Sequence, residues 1–272
     1  MLESDGSSHL TKLSRIYSDD TWHLYELLDT SLEPRGPDWL VAKAGSYLHP
    51  GATVLDAGCR DAAHLIRLVQ ENGVTGIGIE PVVVHVERAR AAVAAANLEG
   101  RIEVVHGTIE GCDFPDGCFD FIWCRDVLEQ VESLPAFMHQ LARLLRPSGV
   151  ALVFTIVATD LLEPGDRTLL GHHMGVVEAN LSESNLEGSF AGAGLRIRER
   201  NIIGTEWREH AEERTQPISR ALLRLARLRR RRNEIFDSPS EDIYRHVEAN
   251  LHWDLLQMLG KLQPIVYVLE RE

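Results

Sequence analysis

The amino-acid sequence predicts an α/β fold in which one mostly parallel β-sheet is covered by helices on both faces. Short apolar runs of strand length alternate along the chain with stretches where apolar residues recur at helical spacing. The apolar runs are nearly continuous, which is typical of parallel strands buried on both faces. With 272 residues, of which 44% are hydrophobic and 25% charged, the chain is long enough to bury such a core.

An N-terminal helical cap, residues 1–39, is predicted to precede the core. Residues 1–15 are polar, and we expect the start of this segment to be frayed. The apolar residues of segment 22–28 predict a helix, which the proline- and glycine-containing segment 33–37 ends. A further helix is predicted over 38–48, directly before the first strand.

The core is predicted to span residues 40–204 and to be completed by a closing strand over 262–272. Two segments elaborate it: a substrate-side loop over 158–181 and a largely helical insertion over 205–261. Within the core, strands and helices alternate. The predicted strands are 53–55, 74–80, 101–106, 119–124, 150–157 and 195–203, and the helices between them include 82–98 and 134–145.

The first strand of the core leads into a stretch that favours binding of a nucleotide. From Thr53 to Ala63 a buried strand is followed by a tight turn with Asp56 and Gly58 and by the start of a helix. This arrangement places backbone N–H groups and a helix N-terminus beside a bound ligand. Glu80 ends the next strand, where a carboxylate can accept hydrogen bonds from both hydroxyls of a ribose. An NAD-binding dehydrogenase would meet the same requirement, so Glu80 alone leaves the cofactor open.

Four motifs in this order resemble those of the class I S-adenosylmethionine (SAM)-dependent methyltransferases, of the type that acts on small molecules. Segment 53–63 is similar to the family's V-L-D-x-G-C-G-x-G loop, and Glu80 is the second motif. Segment 107–131 resembles the pattern G-D-A-E-x-L-P-F-P-D-x-S-F-D followed by D-V-L-E-H-V, and segment 144–149 fits L-x-P-G-G. The resemblance covers residues 50–157.

The sequence departs from the family at three positions. Arg60 and Ala62 stand where the family has glycine, and Gln130 stands where it often has histidine. A turn that needs a positive φ at position 60 would strain any residue but glycine. The loop is therefore either reshaped, or the family's glycine is not needed for its conformation. The side chain of Arg60 either meets the carboxylate of the cofactor's methionine part or points to solvent.

The resemblance implies a Rossmann-like, seven-stranded, mostly parallel sheet, with SAM as the cofactor and S-adenosylhomocysteine (SAH) as the product. It implies that Glu80 binds the ribose, that Thr108 and Ile109 contact the adenine, and that Arg125 faces the methionine part. Tyr17 would contact the cofactor from the N-terminal helices, or else be a packed core tyrosine. The implied cofactor-binding residues are Tyr17, Asp56, Ala57, Gly58, Cys59, Arg60, Glu80, Pro81, Thr108, Ile109 and Arg125.

His172 and His173 are the candidate catalytic residues. Methyl transfer from a sulfonium is an in-line displacement, so positioning supplies much of the catalysis. A hydroxyl or protonated amine as acceptor also needs a base, and histidine titrates near neutral pH. Both residues lie in the predicted loop after the fifth strand of the core. The alternative is a pair of loop histidines with structural hydrogen bonds. No metal site is predicted, because no carboxylate accompanies them at a ligand spacing.

Charge and composition narrow the class of substrate and the compartment. The formal net charge of −13 disfavours a polymeric nucleic acid as the substrate. No apolar run is long enough to span a membrane, and the N-terminus lacks the basic segment and apolar core of a signal peptide. None of the four cysteines forms a C-x-x-C pair. We therefore expect a cytoplasmic protein with reduced thiols.

The insertion carries an arginine-rich segment, 220–232, for which three interpretations stay open. It is a solvated helix face paired with acidic neighbours such as Glu212 and Glu213, a contact for an anionic substrate or carrier protein, or a membrane-surface or nucleic-acid patch. The tryptophans of segments 207–210 and 252–253 either line an acceptor pocket or form the core of the cap. The insertion also offers a surface for self-association.

These observations predict a methyltransferase that moves the methyl group of SAM to a small organic acceptor, at oxygen or nitrogen in preference to carbon. Two alternatives remain: a SAM-binding pseudoenzyme or regulatory module, and a SAM-dependent enzyme on the same fold that does not methylate. A nicotinamide-dependent dehydrogenase is disfavoured, because the first loop lacks G-x-G-x-x-G.

Overall fold

The computed structural model describes residues 6–235 and 241–271, in two compact units, Met1–Pro34 and Arg35–Glu272. The first unit contains helices α1, Gly6–Ile16, and α2, Asp19–Leu28. The fraying expected at the start of the chain falls on residues 1–5, outside the described residues, and α1 itself was not predicted. Its apolar residues are few but recur every three residues, at positions 10, 13 and 16, and so lie on one side of the helix.

The second unit is built on a seven-stranded sheet with the strand order β3-β2-β1-β4-β5-β7-β6. All neighbouring strands pair in parallel except β7, which runs antiparallel to both β5 and β6. The predicted seven-stranded, mostly parallel sheet is therefore confirmed. The strands are β1 Thr53–Ala57, β2 Thr75–Glu80, β3 Ile102–His106, β4 Phe119–Arg125, β5 Leu145–Ala158, β6 Leu195–Ile202 and β7 Leu262–Arg271.

Helices cover both faces of this sheet. Successive side chains of a strand point to opposite faces, and they accordingly pack in two different apolar clusters. Val54 packs in one cluster and Leu55 in the other, and the same holds for Phe121 and Ile122. The helices of this unit are α3 Pro37–Gly45, α4 Ala63–Asn72, α5 Val83–Ala95, α6 Leu134–Leu144, α7 Pro164–Met174, α8 Glu183–Gly192, α9 Glu206–Thr215, α10 Pro217–Arg230, α11 Arg232–Ile235 and α12 Glu241–Met258. No helix in the described part of the chain is long and apolar enough to cross a membrane.

The strand register puts the inserted helices at the edge of the sheet where the parallel strands end. Ala158, the last residue of β5, pairs with Leu262, the first residue of β7. Ile202, the last residue of β6, pairs with Ile265 near the start of β7. The segment that joins β6 to β7 therefore leaves and returns at the carboxyl edge of β5. We call α7 and α9–α12 the cap helices.

The prediction of a loop over 158–181 was wrong for the part that forms α7. Pro164 occupies the first turn of this helix, where its missing N–H costs nothing. Glu163 and Asp166 form a capping box at the same end, and Gly175, with a φ of 69°, ends the helix. The Pro-Gly pair favours a turn when read alone, but here it starts a helix. Lys261 contacts Asp166 at 2.8 Å and so joins α7 to the residue before β7.

Candidate active site at the carboxyl edge of the sheet

The loop between β1 and α4 keeps a left-handed backbone at three alternate positions. Gly58 has a φ of 79°, Arg60 of 51° and Ala62 of 59°. The backbone N–H groups of Gly58 and Cys59 both donate to the carbonyl of Ile79 in β2, at 2.9 and 3.1 Å. A left-handed conformation costs an L-residue about 1–2 kcal/mol. The loop therefore follows a backbone path that favours glycine, although positions 60 and 62 carry arginine and alanine.

Glu80 is held firmly at the end of β2. Its side chain is buried, and one carboxylate oxygen accepts from the backbone N–H of Arg60 at 2.9 Å. The other oxygen accepts from the backbone N–H of Val82 at 3.0 Å and lies 3.3 Å from Nδ1 of His85. These bonds fix the carboxylate beside the β1–α4 loop, so the sequence-predicted Glu80 and Arg60 lie in contact. Pro81 follows at the exposed end of the strand.

Two further residues of the predicted cofactor set have packing roles in the structure. Ala57 is the fully buried last residue of β1. The sulfur of Cys59 fills the space above Gly78, since a Cβ placed on that glycine would lie 2.7 Å from it. Burial raises the pKa of the Cys59 thiol well above its ordinary value, with smaller contributions from Asp56 and Glu80. Cys59 is therefore a buried residue that packs against Gly78.

Thr108 and Ile109 follow β3 in opposite environments. Thr108 is exposed, and its hydroxyl accepts from the backbone N–H of Gly111 at 3.2 Å. Ile109 is buried in the apolar cluster that also contains Ile79. The hydroxyl of Thr108 is thus engaged in its own turn, while Ile109 presents an apolar contact beside β2.

Asp56 and Arg125 bring opposite charges to the ends of β1 and β4. Asp56 is 4% exposed, and burial raises the pKa of its carboxyl to about 7, although the Arg125 charge partly opposes this shift. Arg125 donates to Nε2 of His64 at 2.6 Å and pairs with Asp126 at 3.1 Å. Burial, followed by the Arg125 charge, lowers the pKa of His64 to about 4. His64 is therefore neutral near pH 7 and accepts this hydrogen bond.

The guanidinium of Arg125 lies between aromatic rings from the sheet and from the cap helices. Its central carbon is 5.5 Å from the ring centre of Phe154 in β5 and 5.2 Å from that of Trp207 in α9. These contacts are of the cation–π type. The Nε atom of Arg125 is buried and has no hydrogen-bond partner within residues 6–235 and 241–271. The site thus contains one buried donor that a bound ligand could satisfy.

The cap helices add a second charged pair next to Arg125. Arg208 in α9 pairs with Asp254 in α12 at 2.8 Å and donates to Gln257 at 3.0 Å. Burial raises the pKa of Asp254, while Arg208 opposes this shift. The sequence singled out Trp207 and Arg208 as possible pocket residues, and Trp207 is in fact buried against Phe154 at 4.7 Å. It gave no sign of Asp254, because no local pattern joins residues this far apart in the chain.

Glu129 is a buried acid that links the ends of β4 and β5. Its carboxylate accepts from the Thr155 hydroxyl at 2.8 Å and from the backbone N–H of Ile156 at 2.5 Å. Burial, aided by the charge of Asp126, raises the pKa of Glu129 to about 7. The backbone carbonyl of the same residue accepts from the N–H of Val177 at 2.8 Å. Glu129 therefore ties the segment after α7 to the carboxyl edge of the sheet.

The two candidate catalytic histidines lie in the last turn of α7 and not in a loop. His172 is exposed, His173 is half-buried, and their ring centres are 6.2 Å apart. The carbonyl of His173 accepts from His246 of α12 at 2.8 Å. The side-chain amide of Gln130, just after β4, donates to the carbonyl of Met174 at 2.7 Å. This turn of α7 therefore borders the carboxyl edge, and the catalytic role of the histidines stays a prediction.

Tyr17 directly follows α1 in the first unit, and its backbone N–H donates to the carbonyl of Leu13 at 2.9 Å. Its contact with a cofactor stays a prediction. In the described residues no group of three histidine, cysteine, aspartate or glutamate side chains could hold a metal ion.

The residues at this edge fit the cofactor that the motifs imply. A ribose suits the fixed carboxylate of Glu80, whose oxygens can accept from further donors. The ammonium of an amino-acid group suits Asp56, because a positive charge would stabilise that buried carboxylate. A carboxylate suits Arg125, which holds a buried donor without a partner in the described residues.

Comparison with known proteins places the chain in a family. The profile of the family described as methyltransferase domain matches residues 32–200. The chain is 35% identical over 120 residues to the malonyl-acyl-carrier-protein O-methyltransferase of Serratia marcescens. The aligned segment covers 43% of this chain and 44% of that protein. The chain therefore spans less than half the length of this curated relative.

Two solved structures share the fold. A geranyl diphosphate methyltransferase in complex with SAM is 14% identical, with a TM-score of 0.65 over 85% of this chain and 84% of that one. The 4+2 cyclase SpnF is 17% identical, with a TM-score of 0.67 over 86% of this chain and 81% of that one. At such identities these likenesses support the fold alone, whereas the family profile covers more than half of the chain. The chain belongs to the methyltransferase domain family, on the class I fold of the SAM-dependent methyltransferases.

Proposed function

We propose that this protein transfers the methyl group of SAM to a small organic acceptor, at oxygen or nitrogen in preference to carbon, and releases SAH. The observation that carries the proposal is the pairing of Glu80 with the β1–α4 loop at the carboxyl edge of the sheet. Ligands of open parallel sheets bind beyond the carboxyl ends of the strands, and a fixed acid at the end of β2 is the group that binds a ribose.

The cofactor half of the site is proposed to use the residues that the motifs single out. Glu80 binds the ribose, Asp56 faces the ammonium and Arg125 faces the carboxylate of the methionine part. Thr108 and Ile109 border the adenine. When bound, SAM supplies an electrophilic methyl group on a sulfonium, and the residues of the chain bind and orient it. The remaining residues of the proposed set are Tyr17, Ala57, Gly58, Cys59, Arg60 and Pro81.

The acceptor half is proposed to lie under the cap helices. Trp207 and the Arg208–Asp254 pair stand beside Arg125, so an acceptor there would be enclosed by apolar and charged side chains from α9 and α12. Such a covered space suits a small molecule better than a polymer. His172 and His173 are proposed to accept the proton of a hydroxyl or amine acceptor. The oxygen acceptor agrees with the name of the Serratia marcescens relative, an O-methyltransferase.

Calorimetric titration with SAH tests the cofactor half. Wild-type protein should bind SAH, and Glu80→Ala should weaken this binding roughly 100-fold, because two hydrogen bonds to a charged group are lost. Glu87→Ala is the matched control, since Glu87 is an exposed acid on the neighbouring helix α5. No SAH binding by the wild-type protein, or equal binding by Glu80→Ala and Glu87→Ala, would count against the proposal. Transfer of label from SAM to a panel of hydroxyl and amine acceptors then tests turnover.

A SAM-dependent enzyme that does not methylate is the second candidate. The observation that favours it is the fold shared with the cyclase SpnF. Product analysis separates the two functions, because methyl transfer must form SAH in step with methylated product. A protein that binds SAH tightly and converts no acceptor at all would instead fit a regulatory module. Self-association through the insertion stays a prediction that light scattering would test.

A further inference from the structure

A groove of about 410 Å³ runs between α10 and α12, apart from the residues assigned above to the cofactor. Its size falls within the range of roughly 300–1,000 Å³ that is common for small-molecule sites. One stripe of each helix faces it, at positions three to four residues apart. The lining residues are Arg224, Arg227, Leu228, Arg231, His246, Val247, Asn250 and Leu251.

The positive charge of this groove is only partly neutralised. Arg229 at the end of α10 pairs with Glu248 at 3.2 Å, and Arg231, which directly follows this helix, pairs with Glu234 at 2.8 Å. Arg224 and Arg227 have no carboxylate within salt-bridge distance among residues 6–235 and 241–271, and both side chains are exposed. In a chain with a formal net charge of −13, two unpaired guanidinium groups side by side mark a place for an anion.

Of the three interpretations of the arginine-rich segment, a helix face paired with acidic neighbours holds for Arg229 and Arg231, whose partners are Glu248 and Glu234. Glu212 accepts from the backbone N–H of Ile218 at 2.7 Å, so it caps the start of α10. Glu213 lies 3.9 Å from Arg214, within its own helix. Burial opposes the shift, but hydrogen bonds from Ser219 and Ile218, together with the charge of Arg220, lower the pKa of Glu212.

Apolar side chains form the floor of the groove. Leu228, Val247 and Leu251 line it beside the arginines, and Val247 is 40% exposed. Leu251 also packs with Ala221 and Leu225, two of the buried residues of α10. This part of α10 is therefore covered by α12, whereas Leu222 and Leu223 of the same helix are exposed. An anion that also carries an apolar body would use both parts of the groove.

Two hydrogen bonds join the groove to the mouth of the candidate active site. His246, in the wall of the groove, lies 2.8 Å from the carbonyl of His173. Gln130, just after β4, donates to the carbonyl of Met174, the next residue of α7. The wall of the groove is therefore linked through the end of α7 to a residue that follows β4 at the carboxyl edge of the sheet.

We propose that the groove between α10 and α12 binds an anionic amphiphile, with the head group on Arg224 and Arg227 and the apolar body on Leu228, Val247 and Leu251. This molecule is the acceptor, or the part of it remote from the methylated atom, an assignment that rests on the proposed function. The head group is a phosphate or a carboxylate, since both form paired hydrogen bonds with guanidinium groups.

Titration with dodecyl phosphate, below the concentration at which it forms micelles, tests the groove without any turnover. The wild-type protein should bind it, and the double variant Arg224→Ala/Arg227→Ala should bind it at least tenfold more weakly. Arg230→Ala is the matched control, because it removes one arginine of the same helix that does not line the groove. Dodecanoate replaces dodecyl phosphate in a second arm, which distinguishes the phosphate from the carboxylate head.

Several results would overturn the proposal. Equal affinity of the double variant and the wild-type protein would remove the role of the two arginines. Binding of inorganic phosphate as tight as that of dodecyl phosphate would remove the role of the apolar floor. Co-sedimentation with vesicles of phosphatidylcholine and phosphatidylglycerol, without binding of the monomeric amphiphile, would indicate a membrane surface instead. Titration of SAH into the wild-type protein and the double variant separates the two proposals. Failure of the wild-type protein to bind SAH would count against the methyltransferase function, but it would not affect the groove proposal, which binding of dodecyl phosphate tests.

Discussion

Replacement of Gly58 by alanine tests whether the β1–α4 loop must follow its left-handed path. A Cβ placed on Gly58 would lie 2.5 Å from Cγ2 of Val127, far inside the ordinary contact distance of about 3.5–4.0 Å between carbon atoms. The φ of 79° adds a second penalty, because this region favours glycine. Both effects act on the turn that holds Cys59 and Arg60 against β2.

The expected loss of stability follows from these two terms. The left-handed backbone costs about 1–2 kcal/mol for an L-residue, and overpacking of a filled site costs about 1–3 kcal/mol. Gly58→Ala should therefore lower the free energy of unfolding by about 2–5 kcal/mol, measured by urea denaturation. Calorimetry at a temperature where the variant is folded should also show weaker SAH binding, since the N–H groups of the loop are displaced.

A double variant separates the steric term from the backbone term. Val127→Ala removes the atom that the new Cβ meets. In Gly58→Ala/Val127→Ala the loss of stability from the steric clash should therefore disappear, and the loss from the left-handed backbone should remain. Gly107→Ala is the control: its nearest neighbour, Cδ1 of Ile79, lies 3.7 Å away, and a change within about 0.5 kcal/mol is expected. Equal stability of Gly58→Ala and Gly107→Ala would refute the reasoning.

Three more predictions concern residues around the same edge. Arg60→Gly should raise the free energy of unfolding by up to about 1 kcal/mol, because relief of left-handed strain outweighs the added entropy of the unfolded chain. An unchanged or lower urea midpoint would contradict this. The raised pKa of Glu129, about 7 against an ordinary 4.5, means that its neutral form stabilises the fold below pH 4.5 and that this stability is lost as the pH rises through 7. Glu129→Gln should therefore show a flatter loss of stability between pH 5 and pH 8 than the wild-type protein, and parallel urea profiles would disprove the assignment. His172→Ala and His173→Ala test the base: loss of turnover by about 100-fold in one of them, with SAH binding retained, is expected for a proton acceptor, and unchanged turnover in both would remove that role.

The central sheet was predictable because its signal is local. The strand β4 reads as an apolar run from Phe119 to Cys124, and β2 ends at the acid that the motif requires. The family resemblance implied a mostly parallel sheet but did not identify β7 as the antiparallel strand, since no local pattern distinguishes an antiparallel last strand from a parallel one. Helix α7 was missed for a different reason. Its start consists of Glu163, Pro164 and Gly165, which suit a turn equally well until the capping box with Asp166 is seen.

Some residues of the candidate site could likewise be predicted from the sequence, and others could not. Glu80 could be predicted from the sequence because it ends a strand at a fixed place after the first loop. The surroundings of Arg125 could not, because His64, Trp207 and Phe154 reach it from three other elements. Contacts between distant segments depend on how the cap helices pack, which hydrophobic periodicity does not encode. For the same reason the sequence named the histidines of α7 as candidate bases and missed the pair of Arg208 with Asp254.

The conformation of the β1–α4 loop is determined by its hydrogen bonds more than by its glycine content. The amide of Arg60 must point at Glu80, and those of Gly58 and Cys59 must point at the carbonyl of Ile79. A backbone that makes all three of these hydrogen bonds adopts a left-handed conformation at position 60, whichever side chain stands there. Each intramolecular hydrogen bond contributes about 0.5–1.5 kcal/mol, and more when the acceptor is charged, which offsets the strain of about 1–2 kcal/mol at Arg60. Strain retained at a turn that faces a ligand is common where binding fixes the backbone. The arginine at this position therefore leaves the cofactor loop intact, because its backbone N–H supplies the bond that orients Glu80.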